Sequence, residues 1–340
     1  METIVFLDRG TITVPFRKPA FPHTWRDFDR TAPAETVERL RGASIAVTNK
    51  VKFREAELSA LPDLKFIAIT ATGFDNVDLT CCRQRKIAVA NVPGYARRSV
   101  PEHVLMLILA LRRNLPAYLE VIQAGLWQKS PQPTLNNILI EDLHGTTLGL
   151  IGYGDLAKGV EHLARAFGMT ILVADRKEAR SPRAGRQPFQ EVLRQSDVVS
   201  LHTPLNDQTR NLIGRAELAL MKPSALLINA ARGGLVDEKA LAEALRQGRL
   251  AGAGVDVLSE EPPRQGNPLL DFHLPNLIVT PHVAWTSRQA QDTLAEEVVL
   301  NIEAFVAGNP RNLVTDLDAR MAEYLDKPSS AVPFRDIMDK

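Results

Sequence analysis

Three segments each carry a charged or titratable side chain just past an apolar, strand-like run. Arg232 follows Leu226-Leu227-Ile228-Asn229-Ala230-Ala231, Glu261 follows Gly254-Val255-Asp256-Val257-Leu258-Ser259-Glu260, and His282 follows Thr280-Pro281. Ligands of open α/β sheets bind beyond the carboxyl ends of the strands, which is where these side chains are expected. A guanidinium fork between a buried strand and two glycines, Gly233 and Gly234, can hold a carboxylate bidentately. Histidine, with an ordinary pKa near 6.5, suits proton transfer at neutral pH. The glutamate precedes Pro262 and Pro263, which favour extended backbone before them. Taken singly, these residues read as a surface ion pair, a solvated turn acid and a structural imidazole. Together they supply a carboxylate anchor, a proton donor and a carboxylate that orients the donor and favours its protonated form, the parts needed to reduce a 2-keto acid.

A fourth segment reads as a dinucleotide seat. Thr147-Leu148-Gly149-Leu150-Ile151 runs into Gly152-Tyr153-Gly154-Asp155-Leu156-Ala157, and the next strand-like run, Thr170 to Ala174, ends on Asp175. Gly152 permits the sharp turn, and Gly154 lets the backbone approach a pyrophosphate. Ala157 is small enough for the following helix to pack on the strand, and that helix points its positive end at the phosphates. Asp175 stands where an acid grips an adenine ribose, which favours NAD over NADP; the neighbouring Arg176 keeps a 2′-phosphate, and hence NADP, in play. Thr203 and Pro204, after the run Val198 to Leu201, end a strand on the same side and are candidates to touch the dinucleotide, with a capped strand end the equal alternative. The histidines His23, His103, His144, His162, His202 and His273 show no H-E-x-x-H or Cys/His spacing, so no metal site is expected. Neither a G-x-S-x-G elbow nor a G-x-x-x-x-G-K phosphate loop occurs, which argues against hydrolase and kinase chemistry.

The elements that must position these residues alternate. Strand-like runs recur at Ile4 to Leu7, Ile45 to Thr48, Phe66 to Thr70 and Ala88 to Asn91 before the glycine turn. They continue after it at Val198 to Leu201, Ala225 to Asn229, Ala253 to Val257 and Leu277 to Thr280. Alternating β and α predicts α/β architecture, with two doubly wound parallel-sheet domains in tandem and a cleft between them. Ser99-Val100-Pro101-Glu102 opens a long apolar helix, with Ser99 placed to cap it and Pro101 in its first turn, as a bridge between the domains. An amphipathic helix from Ser287 to Ala307, ended by Gly308-Asn309-Pro310, brings the chain back to the first domain.

Bulk properties narrow the function classes. The 340 residues suit two domains of ordinary size. With 41 Lys+Arg against 40 Asp+Glu, the net charge of +1 gives no broad footprint for nucleic acid or an anionic membrane, so small molecules or protein chains are the expected partners. The neighbours Cys81 and Cys82 are the only cysteines and fit a reducing compartment. The apolar run at Ile4 is too short for a secretory signal, and the longest, Val104 to Leu111, falls short of a membrane span; a cytoplasmic protein is expected.

Several motifs together resemble the D-isomer-specific 2-hydroxyacid dehydrogenases over nearly the whole chain. They are Ala71-Thr72-Gly73-Phe74-Asp75-Asn76-Val77-Asp78, Asn91-Val92-Pro93-Gly94-Tyr95 followed by Ser99 to His103, the glycine turn, the arginine segment, Asp256 through Glu261, and Pro281-His282. Within that family, His282-Val283-Ala284-Trp285-Thr286-Ser287-Arg288 is most similar to the glycerate dehydrogenases, also called hydroxypyruvate reductases. The resemblance implies a discontinuous, flavodoxin-like substrate-binding domain (1–99 and 287–325), a Rossmann NAD-binding domain (100–286) and a separate tail (326–340). It implies that Arg232 binds substrate, His282 is the general acid/base and Glu261 pairs with it, while Thr72, Gly73 and Trp285 line the substrate site. It further implies cofactor contacts from Thr72, Gly152, Gly154, Asp155, Leu156, Asp175, Ala230, Ala231, Arg232, Asp256 and His282, and a homodimer built on the helix after Ser99 and the arm near Trp127. The implied reaction is reduction of hydroxypyruvate or glyoxylate by NADH. The alternatives are a dehydrogenase for a bulkier D-2-hydroxy acid and a non-catalytic NAD(H)-sensing protein.

Overall fold

The computed structural model describes residues 1–271 and 274–315. The tail segment 326–340, the end of the 287–325 segment and His273 lie outside the described residues. The chain divides into two compact units, Met1–Tyr95 with the segment from Gln291, and Ala96–Ala290.

In the first unit, β1 (Glu2–Phe6), β2 (His23–Asp27), β3 (Ile45–Thr48), β4 (Phe66–Ile69) and β5 (Ala88–Ala90) form one parallel sheet in the order β2-β1-β3-β4-β5. This is the flavodoxin-like order. β3 and β4 are buried along their whole length, as continuous apolar runs in a parallel sheet covered on both faces should be. Short helices α1 (Thr36–Arg39), α2 (Glu55–Ser59) and α3 (Leu79–Gln84) follow β2, β3 and β4, and the Asp78 carboxylate caps α3 by accepting from Cys81 N–H at 3.0 Å. A core around Val5, Leu58, Ile67 and Val89 fills one face. The long helix near the chain's end, Arg288–Val306, stacks Phe305 on Phe66 with ring centroids 4.4 Å apart and docks Asn301 on the Asn91 carbonyl at 3.0 Å. The strand β2 has no counterpart in the sequence reading. It pairs only with β1 at the sheet edge, and its residues His23-Thr24-Trp25-Arg26-Asp27 are half-buried or exposed, so no apolar run marks it.

In the second unit, α4 (Ser99–Arg112) and α5 (Leu115–Gln123) precede a six-stranded parallel sheet. Its strands are β6 (Thr147–Ile151), β7 (Thr170–Val173), β8 (Val198–Leu201), β9 (Leu226–Asn229), β10 (Gly252–Val255) and β11 (Leu277–Val279). The order is β11-β10-β9-β8-β6-β7, so the chain reverses direction across the sheet between β6 and β8. Helices α6 (Asp155–Ala166), α7 (Phe189–Gln195), α8 (Arg215–Leu218) and α9 (Glu238–Arg246) connect the strands, and the Arg288–Val306 helix is α10. α4 falls in this unit, packed on α6, β9 and β10. Ser99 does not cap it. Arg98 occupies the cap position, and the Ser99 hydroxyl instead donates to the Ala284 carbonyl at 2.5 Å. Two glycines admit this packing: a Cβ on Gly254 would sit 3.0 Å from Leu107 Cβ, and one on Gly159 would sit 2.6 Å from Pro101 Cγ. No helix among the described residues is long and apolar enough to cross a membrane.

Candidate active site

All but two of the expected site residues fall on the C-terminal edge of the second sheet. From one side to the other, the turns carry His282 after β11, Asp256 and Glu261 after β10, Ala230 to Arg232 after β9, Thr203 and Pro204 after β8, Gly152 to Leu156 after β6, and Asp175 after β7. At the usual spacing between paired strands this row spans about 24 Å. The reversal between β6 and β8 sits inside it, at the position where open α/β sheets take ligands.

At one end, Arg232, Glu261 and His282 come from three adjacent strands. The His282 Nδ1–H donates to Glu261 Oε2 at 2.6 Å, which leaves Nε2 as the ring's other proton site. Glu261 is held in turn, because its Oε1 accepts the Leu258 N–H at 2.9 Å. Arg232 is fixed from its backbone: Asn229 Nδ2 donates to its carbonyl at 2.8 Å while Asn229 Oδ1 accepts from Ala231 N–H at 3.1 Å. A Cβ on Gly233 would lie 1.9 Å from the Leu258 carbonyl carbon, so only glycine lets the arginine turn lie against the turn that carries Glu261.

His282 adopts a left-handed backbone, φ 57°, which costs a non-glycine residue about 1–3 kcal/mol and persists only where its surroundings impose it. Here the constraint is Asp256. Its carbonyl accepts the His282 N–H at 2.7 Å, and its carboxylate accepts the N–H groups of Val283 and Ala284, each at 2.9 Å, and the Thr280 hydroxyl at 2.6 Å. The Asp256 side chain has no exposed surface and lies beneath the histidine turn. His103, on α4, completes this network at 3.0 Å from the Thr280 hydroxyl, and burial pushes its pKa down, with Asp256 partly opposing.

The glycine turn fits a dinucleotide. Gly152 has φ +88°, and a Cβ there would meet the His202 carbonyl oxygen at 2.4 Å; Gly154 has nothing within 4 Å of that position, so space stands open where the backbone approaches a phosphate. Asp155 opens α6 and pairs with Arg97 at 2.7 Å; Leu156 behind it is half-buried and Ala157 fully buried. Beside the turn, burial drives the His202 pKa down to about 4. Asp175 ends β7 almost fully buried, with Arg183 on both carboxylate oxygens, an arrangement that holds its carboxyl far below the usual range.

Thr72 and Gly73 belong to the first unit, on the turn after β4. That turn is tied by Thr72 Oγ1 to the Val92 carbonyl at 2.8 Å and by Asn91 Nδ2 to the Thr72 carbonyl at 2.7 Å. Trp285 follows the histidine turn, half-buried. Asn229, His103, Thr280 and Arg183 were not singled out from sequence. Of these, only Asn229 carries a signal, as a polar residue closing an apolar strand.

A parallel sheet with a glycine turn at its reversal and a His–Glu pair at its edge defines a dinucleotide-dependent oxidoreductase. A profile for "D-isomer specific 2-hydroxyacid dehydrogenase, NAD binding domain" matches residues 105–284. The chain is 49% identical over 314 residues to a glycerate dehydrogenase of Methylorubrum extorquens, covering 92% of this chain and 99% of that one. It is 32% identical to a hydroxypyruvate reductase of Blautia hydrogenotrophica, covering 84% and 90%. Among solved structures it matches the TT0316 protein of Thermus thermophilus with a TM-score of 0.80 at 34% identity, covering 92% and 100%. The chain belongs to the D-isomer-specific 2-hydroxyacid dehydrogenase family, and it is an NAD(H)-dependent oxidoreductase acting on a 2-hydroxy acid.

Proposed function

We propose that the protein interconverts hydroxypyruvate and D-glycerate, and glyoxylate and glycolate, with Arg232, Glu261 and His282 as the residues that act on substrate. The observation that carries this reading is the 2.6 Å His282–Glu261 pair, set beside Arg232 at the end of a row that leads from the glycine turn. The names of the glycerate dehydrogenase and hydroxypyruvate reductase relatives support the choice of acid.

Asp175 would hold the adenosine of the dinucleotide, Gly152 to Leu156 its phosphates and Ala230 to Arg232 its nicotinamide, with Thr203 and Pro204 as further contacts. When bound, the reduced nicotinamide supplies a hydride to C2 of the keto acid. Arg232 holds the substrate carboxylate through paired N–H donors. His282 gives its Nε2 proton to the oxygen on C2, and in the reverse direction Nε2 takes that proton back. Glu261 holds Nδ1 so that Nε2 faces the reacting oxygen, and Asp256 fixes the turn beneath it. The first unit, with Thr72 and Gly73 on the turn after β4, is the substrate-binding domain, and Trp285 bounds the site beside His282.

A homodimer and a cytoplasmic setting complete the proposal. α5 and the arm that follows expose Leu115, Leu119, Leu126, Trp127 and Leu139, each about half exposed or more, an apolar surface that a second copy would cover. The thiols of Cys81 and Cys82 are both free and buried, as suits a reducing compartment.

NADH oxidation measured in parallel with hydroxypyruvate, glyoxylate, pyruvate and a branched 2-keto acid tests the substrate. Turnover confined to the first two is expected; preference for the branched acid would move the assignment to a bulkier substrate.

A further inference from the structure

The loop that carries Glu261 has little apolar hold of its own. From Ser259 to Gly266 no residue is buried, and Pro263 alone is half-buried. A loop without buried side chains is fixed by polar contacts or it moves, and the 2.6 Å His282–Glu261 pair requires it to be fixed.

Glu238, the first residue of α9, supplies those contacts. Its Oε1 accepts the Ser259 N–H at 2.6 Å, and its Oε2 accepts the Ser259 hydroxyl at 2.6 Å and Asn267 Nδ2–H at 2.7 Å. Glu238 is only 9% exposed, and a carboxylate so placed is tolerated because three donors meet it, with the positive end of α9 adding to their effect. Asn267 is buried as well. Its Oδ1 accepts the Leu269 N–H at 2.9 Å, and Leu269 belongs to the core of the second unit. One carboxylate thus pins both ends of the glutamate loop, at Ser259 and at Asn267, and ties them to the core.

Its place in the chain adds a second link. Glu238 lies on the segment that continues from Arg232, and Gly233 already lets that segment lie against Leu258. The arginine segment and the glutamate loop are therefore held to each other from below, by a residue on a helix rather than on either turn. Such support under a site keeps its side chains in productive geometry between turnovers.

We propose that Glu238 is a positioning residue for the reaction: by pinning Ser259 and Asn267 it keeps Glu261 Oε2 on His282 Nδ1, and so keeps Nε2 aimed at the reacting oxygen. The inference rests on the proposed roles of Glu261 and His282, not on which keto acid is the substrate. Glu238 moves no proton, and its effect on turnover passes through Glu261.

Glu238→Gln tests this, because it keeps the side chain's volume while either orientation of the new amide sets an N–H against the Ser259 N–H or against Asn267 Nδ2–H. Reduction by NADH of hydroxypyruvate, or of whichever 2-keto acid turns over faster, is measured for the wild-type protein, Glu238→Gln, Glu261→Gln and the double variant. NADH affinity and the denaturation midpoint are measured beside it. Glu261→Gln should lower kcat about a hundredfold and Glu238→Gln about tenfold, each with NADH affinity retained. The double variant should be no slower than Glu261→Gln alone, since the brace then has nothing left to hold. Losses that multiply in the double variant, or wild-type kcat in Glu238→Gln, would overturn the proposal and leave the His282–Glu261 assignment standing. Wild-type kcat in Glu261→Gln, or silence of the wild-type protein on every keto acid, would overturn both together. Should Glu238→Gln fail to fold, Ser259→Ala removes the hydroxyl bond alone from an exposed residue. Its kcat should fall about threefold, and not at all when Glu261→Gln is already present; an unchanged kcat would overturn the proposal.

Discussion

Both units are parallel sheets whose chain reverses direction once, and the two reversal points are filled in opposite ways. In the second unit, the turn after β6 leaves open space at Gly154 for a ligand to approach the backbone. In the first, the equivalent crevice lies between β1 and β3, and the chain fills it with its own carboxylate. Asp8, just past β1, is almost fully buried and accepts the N–H groups of Asn49 (2.9 Å), Lys50 (2.6 Å) and Val51 (3.2 Å). Burial nevertheless pushes the Asp8 pKa up, with these donors working against it. The same architecture thus offers one crevice to an external anion and closes the other with an internal one. Strand order says where a site can form, but the side chains at that place decide whether it does.

The sharpest break of this comparison is within the glycine turn. Gly152→Ala forces a side chain into a positive-φ position 2.4 Å from a backbone carbonyl, and should cost about 4 kcal/mol, read as a loss of denaturation midpoint. Asp8→Ala strips the acceptor from three backbone N–H groups, and chemical denaturation should show a loss of about 3 kcal/mol with NADH affinity retained. A smaller effect comes from His202. Its folded-state pKa of about 4 lies below the ordinary histidine value, so the unfolded chain binds more protons between the two. Its contribution is therefore complete above about pH 6.5 and is lost as pH falls toward 4, by about 2 kcal/mol after allowance for its partial exposure. His202→Gln should flatten that part of the stability-against-pH curve. Gly154→Val, by contrast, adds a side chain where no protein atom stands, so the variant should fold normally yet bind NADH about tenfold more weakly.

The sequence disclosed those features that local composition fixes. Continuous apolar runs marked the strands buried on both faces, and Gly152 and Gly154 marked the turn. The residues that follow β9, β10 and β11 could be ordered because the strand rhythm was plain. The edge strand β2 was not legible, since a strand with one neighbour and solvent beside it keeps no apolar run. Ser99 misled because its residue type favours a cap, while a tertiary partner, the Ala284 carbonyl, took its hydroxyl. Three pairings essential to the site span 8, 21 and 177 residues: Asp175 with Arg183, Glu261 with His282, and His103 with Thr280. Of these, only the middle one had a chemical motive visible in the chain. The others depend on how a polar loop folds back or where a helix lands, which no periodicity records.

The most direct test of the account is hydroxypyruvate reduction by His282→Ala, measured beside NADH binding by the same preparation. Turnover is expected to fall about a thousandfold, the range of a lost general acid, while NADH still binds. Turnover close to that of the wild-type protein would contradict the assignment of His282 as the proton donor, and with it the reading of the strand-end row as a catalytic site.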